Sequence, residues 1–209
     1  MIVTNDSLLE VADILLDDDA SIFLLSTSSH DNYYLLQRHR TYSGWITDDY
    51  LRHCTTGNLK ALQYFHRIHA IDREIIRSKK NRALHYAAFQ GWLSVVKYLI
   101  ETFDLSGEEI LDSDHYVWIN VITSNSLPLI KYFVETFNMT TADARYNDNL
   151  PLKLNASHGY LQALKYLVDT FDLTADDARS DNNYALRWAA SNGHSHVVEY
   201  LQTTFGLSL

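Results

Sequence analysis

One pattern recurs along this chain at a fixed interval of 34 residues, and it constrains the fold more than any other feature of the sequence. Its clearest element is a tripeptide of the Lys-Tyr-Leu kind, found at residues 63–65, 97–99, 131–133, 165–167 and 199–201. A unit this short cannot bury its apolar face alone, so neighbouring copies must pack against one another. The sequence therefore predicts an elongated stack of about five repeats from residue 47 to residue 209.

Each copy has the pattern of two short helices. Small residues at Ala87-Ala88 are followed by Gly91, and the Gly91 register is occupied by Gly or Asn in every copy, as expected where a helix ends in a residue with positive φ. Beyond this turn, Leu93, Val96, Leu99 or Ile100, and Phe103 recur at helical spacing, which predicts a second helix with one buried face.

The segments between copies carry helix-start signals. Thr140 and Thr174 each stand three residues before an aspartate, an arrangement that favours an N-cap with an acidic first turn. We therefore expect a brief additional helical turn between repeats, for example Ala175–Arg179, and little β-hairpin.

The residues Ala83–Ala88 with Gly91, and Ala185–Ala190 with Asn192-Gly193-His194, resemble the signature of ankyrin repeats. The resemblance implies an all-α, ankyrin-type helical solenoid, a structural role for His85, and partner binding on a concave surface. Tetratricopeptide arrays share the period but not the early break at Gly91. The 34-residue spacing without hairpins is similar to ankyrin variants of giant DNA viruses of amoebae, which implies a viral protein in the host cytoplasm. The predicted repeats are 47–80, 81–114, 115–148, 149–182 and 183–209.

Residues 1–46 do not follow the repeat and predict a separate N-terminal helical segment. The stretch 6–36 resembles an F-box, with Ile14-Leu15 and Tyr33-Tyr34 at positions typical of that motif. The resemblance implies a substrate adaptor that engages Skp1 of a cullin ubiquitin ligase. The alternative is a helical cap that covers the apolar end of the stack.

Composition excludes several classes of partner. A formal charge of −9 disfavours nucleic acid and anionic membranes, because both need a basic face. Cys54 is the only cysteine, and no apolar run approaches the length of a membrane span or a signal peptide core. We expect an intracellular, cytoplasmic protein, and a monomer.

The residue types do not indicate catalysis. His53, Cys54, His66 and His69 could nominally bind zinc, which would make a metal-dependent enzyme a remote alternative. However, Cys54 occupies the register of Ala88 and Ala190, where packing requires a small residue. We therefore expect no enzyme activity, no metal and no cofactor.

The remaining candidate function is protein binding by a non-enzymatic scaffold. Positions before the helix-ending Gly or Asn differ between copies, and the loop tips are rich in Tyr and Asn, residue types suited to binding surfaces. The asparagines could equally serve turn geometry. The predicted partner-binding residues are Asn81, Phe89, Gln90, His115, Tyr116, Thr123, Ser124, Tyr146, Asn147, Ser157, His158, Asn183, Tyr184, Ser191 and Asn192.

Overall fold

The computed structural model describes residues 50–69, 73–111 and 115–209, and every regular element in these ranges is a helix. The predicted N-terminal segment, its boundary at residue 46 and the F-box-like stretch 6–36 lie outside the described residues and remain predictions. No helix in the described ranges is both long and apolar enough to cross a lipid bilayer.

The helices follow a repeating order. After a helical segment at residues 50–56 come α1 (Leu59–His69), α2 (Arg73–Phe89), α3 (Leu93–Thr102), α4 (Gly107–Leu111), α5 (Tyr116–Thr123), α6 (Leu127–Thr136), α7 (Thr141–Ala144), α8 (Tyr146–His158), α9 (Leu161–Phe171), α10 (Ala175–Ser191) and α11 (Ser195–Phe205). The chain divides into two compact units, which meet in sequence between Ala83 and Leu84.

The described part of the first unit is a helix pair with its own small core. Cys54, Leu62 and Ile76 are buried there. The turn between the two helices has Gly57 at φ 74°, and the side chain of Asn58 accepts a hydrogen bond from the Ala61 amide at 3.0 Å. This bond satisfies one of the amides at the start of α1 that have no partner within the helix.

In the second unit, Leu84–Leu209, helix pairs stack in chain order. The first helices of successive repeats, α5, α8 and the later part of α10, pack side by side, and the second helix α6 packs against α9. The predicted buried face of α3 is confirmed at Val96, Leu99 and Ile100 and at Phe103 just after the helix, all at most 6% exposed, whereas Leu93 is half-buried. The positive φ predicted at the helix-ending positions is also confirmed, at Gly57, Gly91, Asn125, Gly159 and Gly193.

The additional helical turn between repeats is present. It forms α4, α7 and the start of α10, and capping boxes at Thr140 with Asp143 and at Thr174 with Asp177 begin the last two. Each cap satisfies amides at the helix start that would otherwise have no partner.

The turn is followed by runs of left-handed residues inside α8 and α10. The residues 147–149 and 181–183 all have φ between 48° and 60°, and all are Asn or Asp. These two types tolerate the left-handed region better than other residues with a Cβ. The runs redirect the chain into the first helix of the next repeat without a β-hairpin.

Gly159 offers a test of how tightly neighbouring repeats pack. Its φ is 76°, and a Cβ there would lie 2.6 Å from Nδ1 of His194 in the next repeat. Gly193 has nearly the same φ, 77°, with no atom within 4 Å of a Cβ. We expect Gly193→Ala to cost about 1 kcal/mol from backbone strain alone, and Gly159→Ala about 2–3 kcal/mol because His194 must also move. Urea midpoints of the two variants would measure this difference, and equal losses would contradict the packing shown by the structure.

Candidate functional site

The second unit presents one helix face built from the same positions of successive first helices. Residues spaced i, i+4 and i+7 on a helix share a face, and in these helices that face points away from the core. We call it the first-helix face: Tyr86, Phe89, Tyr116, Asn120, Thr123, Leu150, Leu154, Ser157, Tyr184, Trp188 and Ser191, all of them half-buried or exposed.

Exposed aromatic side chains mark the beginning of this face. Phe89 is 58% exposed and Tyr116 is 53% exposed, large values for apolar rings. The Tyr116 ring lies 6.2 Å from the ring of His85, whose Nδ1 is 2.9 Å from the Asn120 side-chain amide in the next repeat. His85 therefore connects two repeats, and its ring lies next to the Tyr116 ring.

A second aromatic pair lies at the other end of the face. Trp188 is 43% exposed, and its ring is 5.5 Å from that of Tyr184, four residues earlier on the same helix. The Lys153 ammonium lies 5.6 Å from the centre of the Tyr184 ring and 3.1 Å from an oxygen of Asp148. Trp188 is not among the partner-binding residues predicted from the sequence. The available signal was its spacing of four residues from Tyr184, on the same face of a predicted helix.

The middle of the face offers less for binding. Leu150 and Leu154 are half-buried, and the predicted hydroxyls there are engaged with their own helices. Thr123 Oγ1 donates to the Ile119 carbonyl at 2.7 Å, and Ser124 Oγ donates to the Val121 carbonyl at the same distance. Ser157 Oγ donates to the Leu154 carbonyl at 2.9 Å. These side chains end helices, and their protons are not available to a partner.

The predicted loop residues hold the connections between repeats. His115 stacks on Tyr146 at 4.2 Å, and its Nε2 is 3.3 Å from Asp143. Asn183 donates to the Ser208 carbonyl at 3.2 Å, whereas Asn147 is exposed. Burial tends to raise the pKa of Asp143, but hydrogen bonds from Thr140 and His115 hold it below its ordinary value.

Asn81 does not lie on an exposed surface. It is 8% exposed with φ 57°, and it shares its register with His115, Asn149 and Asn183, whose φ values lie between 54° and 60°. Each of these four residues has a left-handed backbone, a conformation that Asn adopts more readily than most residues. This geometry favours the turn role for these asparagines, the alternative that the sequence left open.

The helix-end positions differ in exposure. Gln90, His158, Ser191 and Asn192 are exposed. His158 stacks on Tyr160 at 5.4 Å, and Asn192 donates to the Ser157 carbonyl of the preceding repeat at 2.7 Å. Asn192 therefore contributes to repeat packing, while Ser191 belongs to the first-helix face and Gln90 borders it.

Along the second helices, each recurring lysine contacts the tyrosine of the next repeat. The ammonium nitrogen lies 4.9 Å, 5.5 Å and 5.3 Å from the ring centre in the pairs Lys97 with Tyr132, Lys131 with Tyr166, and Lys165 with Tyr200. Such cation–π contacts contribute about 0.5–1 kcal/mol each at exposed sites. The lysine of one recurring Lys-Tyr dipeptide therefore contacts the tyrosine of the next copy, so the residues that show the period also connect neighbouring repeats.

Of the residues considered for zinc, His53, Cys54 and His66 have described side chains, whereas the side chain of His69 lies outside the described part of the structure. Within the described ranges, no group of three or more His, Cys, Asp or Glu side chains is arranged to bind a metal ion. His53 is buried with its ring 5.2 Å from that of Phe65, and burial raises the pKa of the Cys54 thiol far above its ordinary value. A thiol that stays protonated is a poor metal ligand.

Paired helices that stack through their first helices, with a Gly or Asn of positive φ in the turn of each copy, define a helical repeat protein. Two family models match the sequence: one described as "Ankyrin repeats (3 copies)" covers residues 118–206, and one described as "Ankyrin repeat" covers residues 79–105. Together they cover more than half of the chain, which belongs to the ankyrin repeat family. A search among curated proteins finds no match.

Proposed function

We propose that this protein is a non-enzymatic interaction scaffold that binds a partner protein on the first-helix face. The observation that carries the proposal is the exposure of Phe89, Tyr116 and Trp188 on one face of helices whose opposite face is buried. Rings exposed on a rigid support lose little conformational entropy when they bind, and aromatic residues are enriched among residues that dominate binding energy.

The family supports a protein partner, since ankyrin repeats are interaction modules. The arrangement in this chain also favours binding over chemistry. Among the described residues, the titratable groups with lowered pKa are Asp143 and Asp177, which are capping residues between repeats. Their environments are explained by the architecture without a reaction.

The partner can be found by site-specific cross-linking. A photoreactive phenylalanine placed at position 89 or 188 should cross-link to the partner, whereas the same group at the exposed second-helix position Glu135 should not. The cross-linked protein would be identified by mass spectrometry and then produced in pure form.

Affinity for the purified partner tests the face directly. We expect the triple variant Phe89→Ala, Tyr116→Ala, Trp188→Ala to bind at least about tenfold more weakly, since two or three exposed anchors of this kind typically carry more than 1.4 kcal/mol. The matched control changes three exposed second-helix carboxylates, Glu101→Gln, Glu135→Gln, Asp169→Asn, and should keep its affinity. Full affinity in the triple variant, with circular dichroism showing an intact fold, would refute the proposal.

A further inference from the structure

The second unit combines acidic charge with exposed aromatic rings. Residues 84–209 carry fifteen Asp and Glu against seven Lys and Arg, a formal charge of −8, which is most of the charge of the whole chain. A field of this sign steers cationic partners toward the unit and repels anionic ones. How much of this negative field reaches the solvent depends on where the seven Lys and Arg side chains lie.

The four lysines of this unit all contact tyrosine rings. Their ammonium nitrogens lie between 4.9 Å and 5.6 Å from the centres of four rings, in the pairs Lys97 with Tyr132, Lys131 with Tyr166, Lys153 with Tyr184, and Lys165 with Tyr200. The chain thus repeatedly uses an aromatic face as the partner of a cation.

The three arginines are also engaged within the chain. Arg145 pairs with Asp177, and Arg179 pairs with Asp176. Arg187 donates to the backbone carbonyls of Asp181 and Asn182, at 3.1 Å and 2.7 Å. All seven bases therefore have contacts inside the unit, and its excess charge is acidic.

Three exposed rings on the first-helix face have no such cation. In the described ranges, no Lys or Arg of this chain lies over Phe89, Tyr116 or Trp188, although each is at least 43% exposed. Indole is the strongest of the three rings in binding cations, and the arginine side chain binds aromatic faces more often than lysine does.

The rings also define a spacing. Tyr116 and Trp188 lie on α5 and α10, two repeats apart, and adjacent packed helices are separated by roughly 8–10 Å, so these anchors are about 16–20 Å apart. About six residues of extended chain span that distance.

We propose that the partner contacts the first-helix face through a basic linear segment, with one arginine on the Tyr116 ring and another on Trp188. This inference rests on the proposed binding role of the face and specifies the chemistry of its partner. The acidic field attracts the segment, and the rings fix its register.

The test uses the full chain and three synthetic probes. Each is a fluorescein-labelled twelve-residue peptide of Gly and Ser with two identical residues placed six apart: arginine, citrulline or leucine. Citrulline keeps the planar shape of arginine and removes its charge, so it isolates the cation. We expect the arginine probe to bind at least tenfold more tightly than the citrulline probe in fluorescence anisotropy at low salt, and Trp188→Ala to remove most of that difference.

The variant Glu101→Gln, Glu135→Gln, Asp169→Asn separates the face from general charge attraction. It removes three carboxylates away from the face, so it should weaken arginine-probe binding through the field alone, and by less than Trp188→Ala does. Equal binding of the arginine and citrulline probes, tighter binding of the leucine probe, or loss of arginine binding in this variant would each overturn the inference.

Failure of this inference can be distinguished from failure of the proposed function. If the cross-linked partner needs Phe89, Tyr116 and Trp188 but keeps its affinity when its arginines are replaced, the basic segment is wrong and the binding face stands. If the partner keeps its affinity when those three side chains are removed, the proposed binding face is wrong. The proposal of a basic segment is then wrong as well.

Discussion

Trp118→Ala should lower the free energy of unfolding by about 3–5 kcal/mol, the range for removing a fully buried tryptophan. Trp118 is 0% exposed and is the largest fully buried side chain in the part of the chain that the structure describes. Its indole Nε1 also donates to the Asp143 carbonyl at 3.2 Å, so the side chain connects α5 to the additional turn α7 of the same helical stack. The substitution therefore creates a cavity and leaves a carbonyl without its donor.

Trp118→Leu is the matched control. Leucine occupies the same register in three of the other four copies, at Leu84, Leu152 and Leu186, so the backbone accepts it. We expect a loss of about 1–2 kcal/mol, because the hydrogen bond is lost but most of the volume is filled. Urea unfolding followed by far-ultraviolet circular dichroism would compare the midpoints. A Trp118→Ala midpoint equal to that of Trp118→Leu would show that the site collapses around the smaller side chain.

Periodicity was sufficient to predict most of the fold. A residue type that recurs at one register indicates that the fold requires it there. The helix-ending positive φ at Gly91 and its equivalents could therefore be inferred by comparing the copies. The additional turn at Ala175–Arg179 was also predictable, because an N-cap threonine and an acid three residues later are local signals.

Contacts between copies were harder to infer. For the asparagines in the left-handed runs at residues 147–149 and 181–183, the sequence leaves binding and turn geometry equally open, since side-chain chemistry alone does not reveal backbone conformation. The contact of Lys97 with Tyr132 depends on the distance between stacked helices, which the pattern within one repeat does not contain.

The candidate site was only partly predictable for a related reason. Phe89 is recognisable in the sequence because its register differs between copies, and Tyr116 because it lies at a predicted loop tip. Thr123 and Ser124 share the correct region, but their hydroxyls bond to helix carbonyls, a choice that the sequence leaves open. The burial of Asn81 likewise could not be predicted from its residue type, because it depends on the folded turn.

Asp177 is expected to make the largest electrostatic contribution to stability. It is 8% exposed, and Arg145 donates to its two oxygens at 2.7 Å and 2.9 Å from the preceding repeat. The backbone amide of Thr174 donates to the same carboxylate at 2.7 Å, which completes the capping box. Burial tends to raise the pKa of Asp177, but the hydrogen bonds from Arg145 and Thr174 lower it below its ordinary value. Bidentate, charge-assisted bonds of this kind are among the stronger ones in proteins.

Asp177→Ala should therefore destabilise the fold by about 2–4 kcal/mol, since it removes a helix cap and leaves the Arg145 guanidinium without its carboxylate. Arg145→Ala keeps the capping box and should cost less, and the double variant should cost less than the two single losses added together. A carboxyl whose pKa is lower in the folded state stabilises that state above its unfolded pKa, about 3.9, and loses this contribution as the pH falls through the folded value. Urea midpoints measured from pH 6 down to pH 2 should decline more steeply in the wild type than in Asp177→Asn. Parallel declines would show that the Asp177 charge does not stabilise the packing of these repeats.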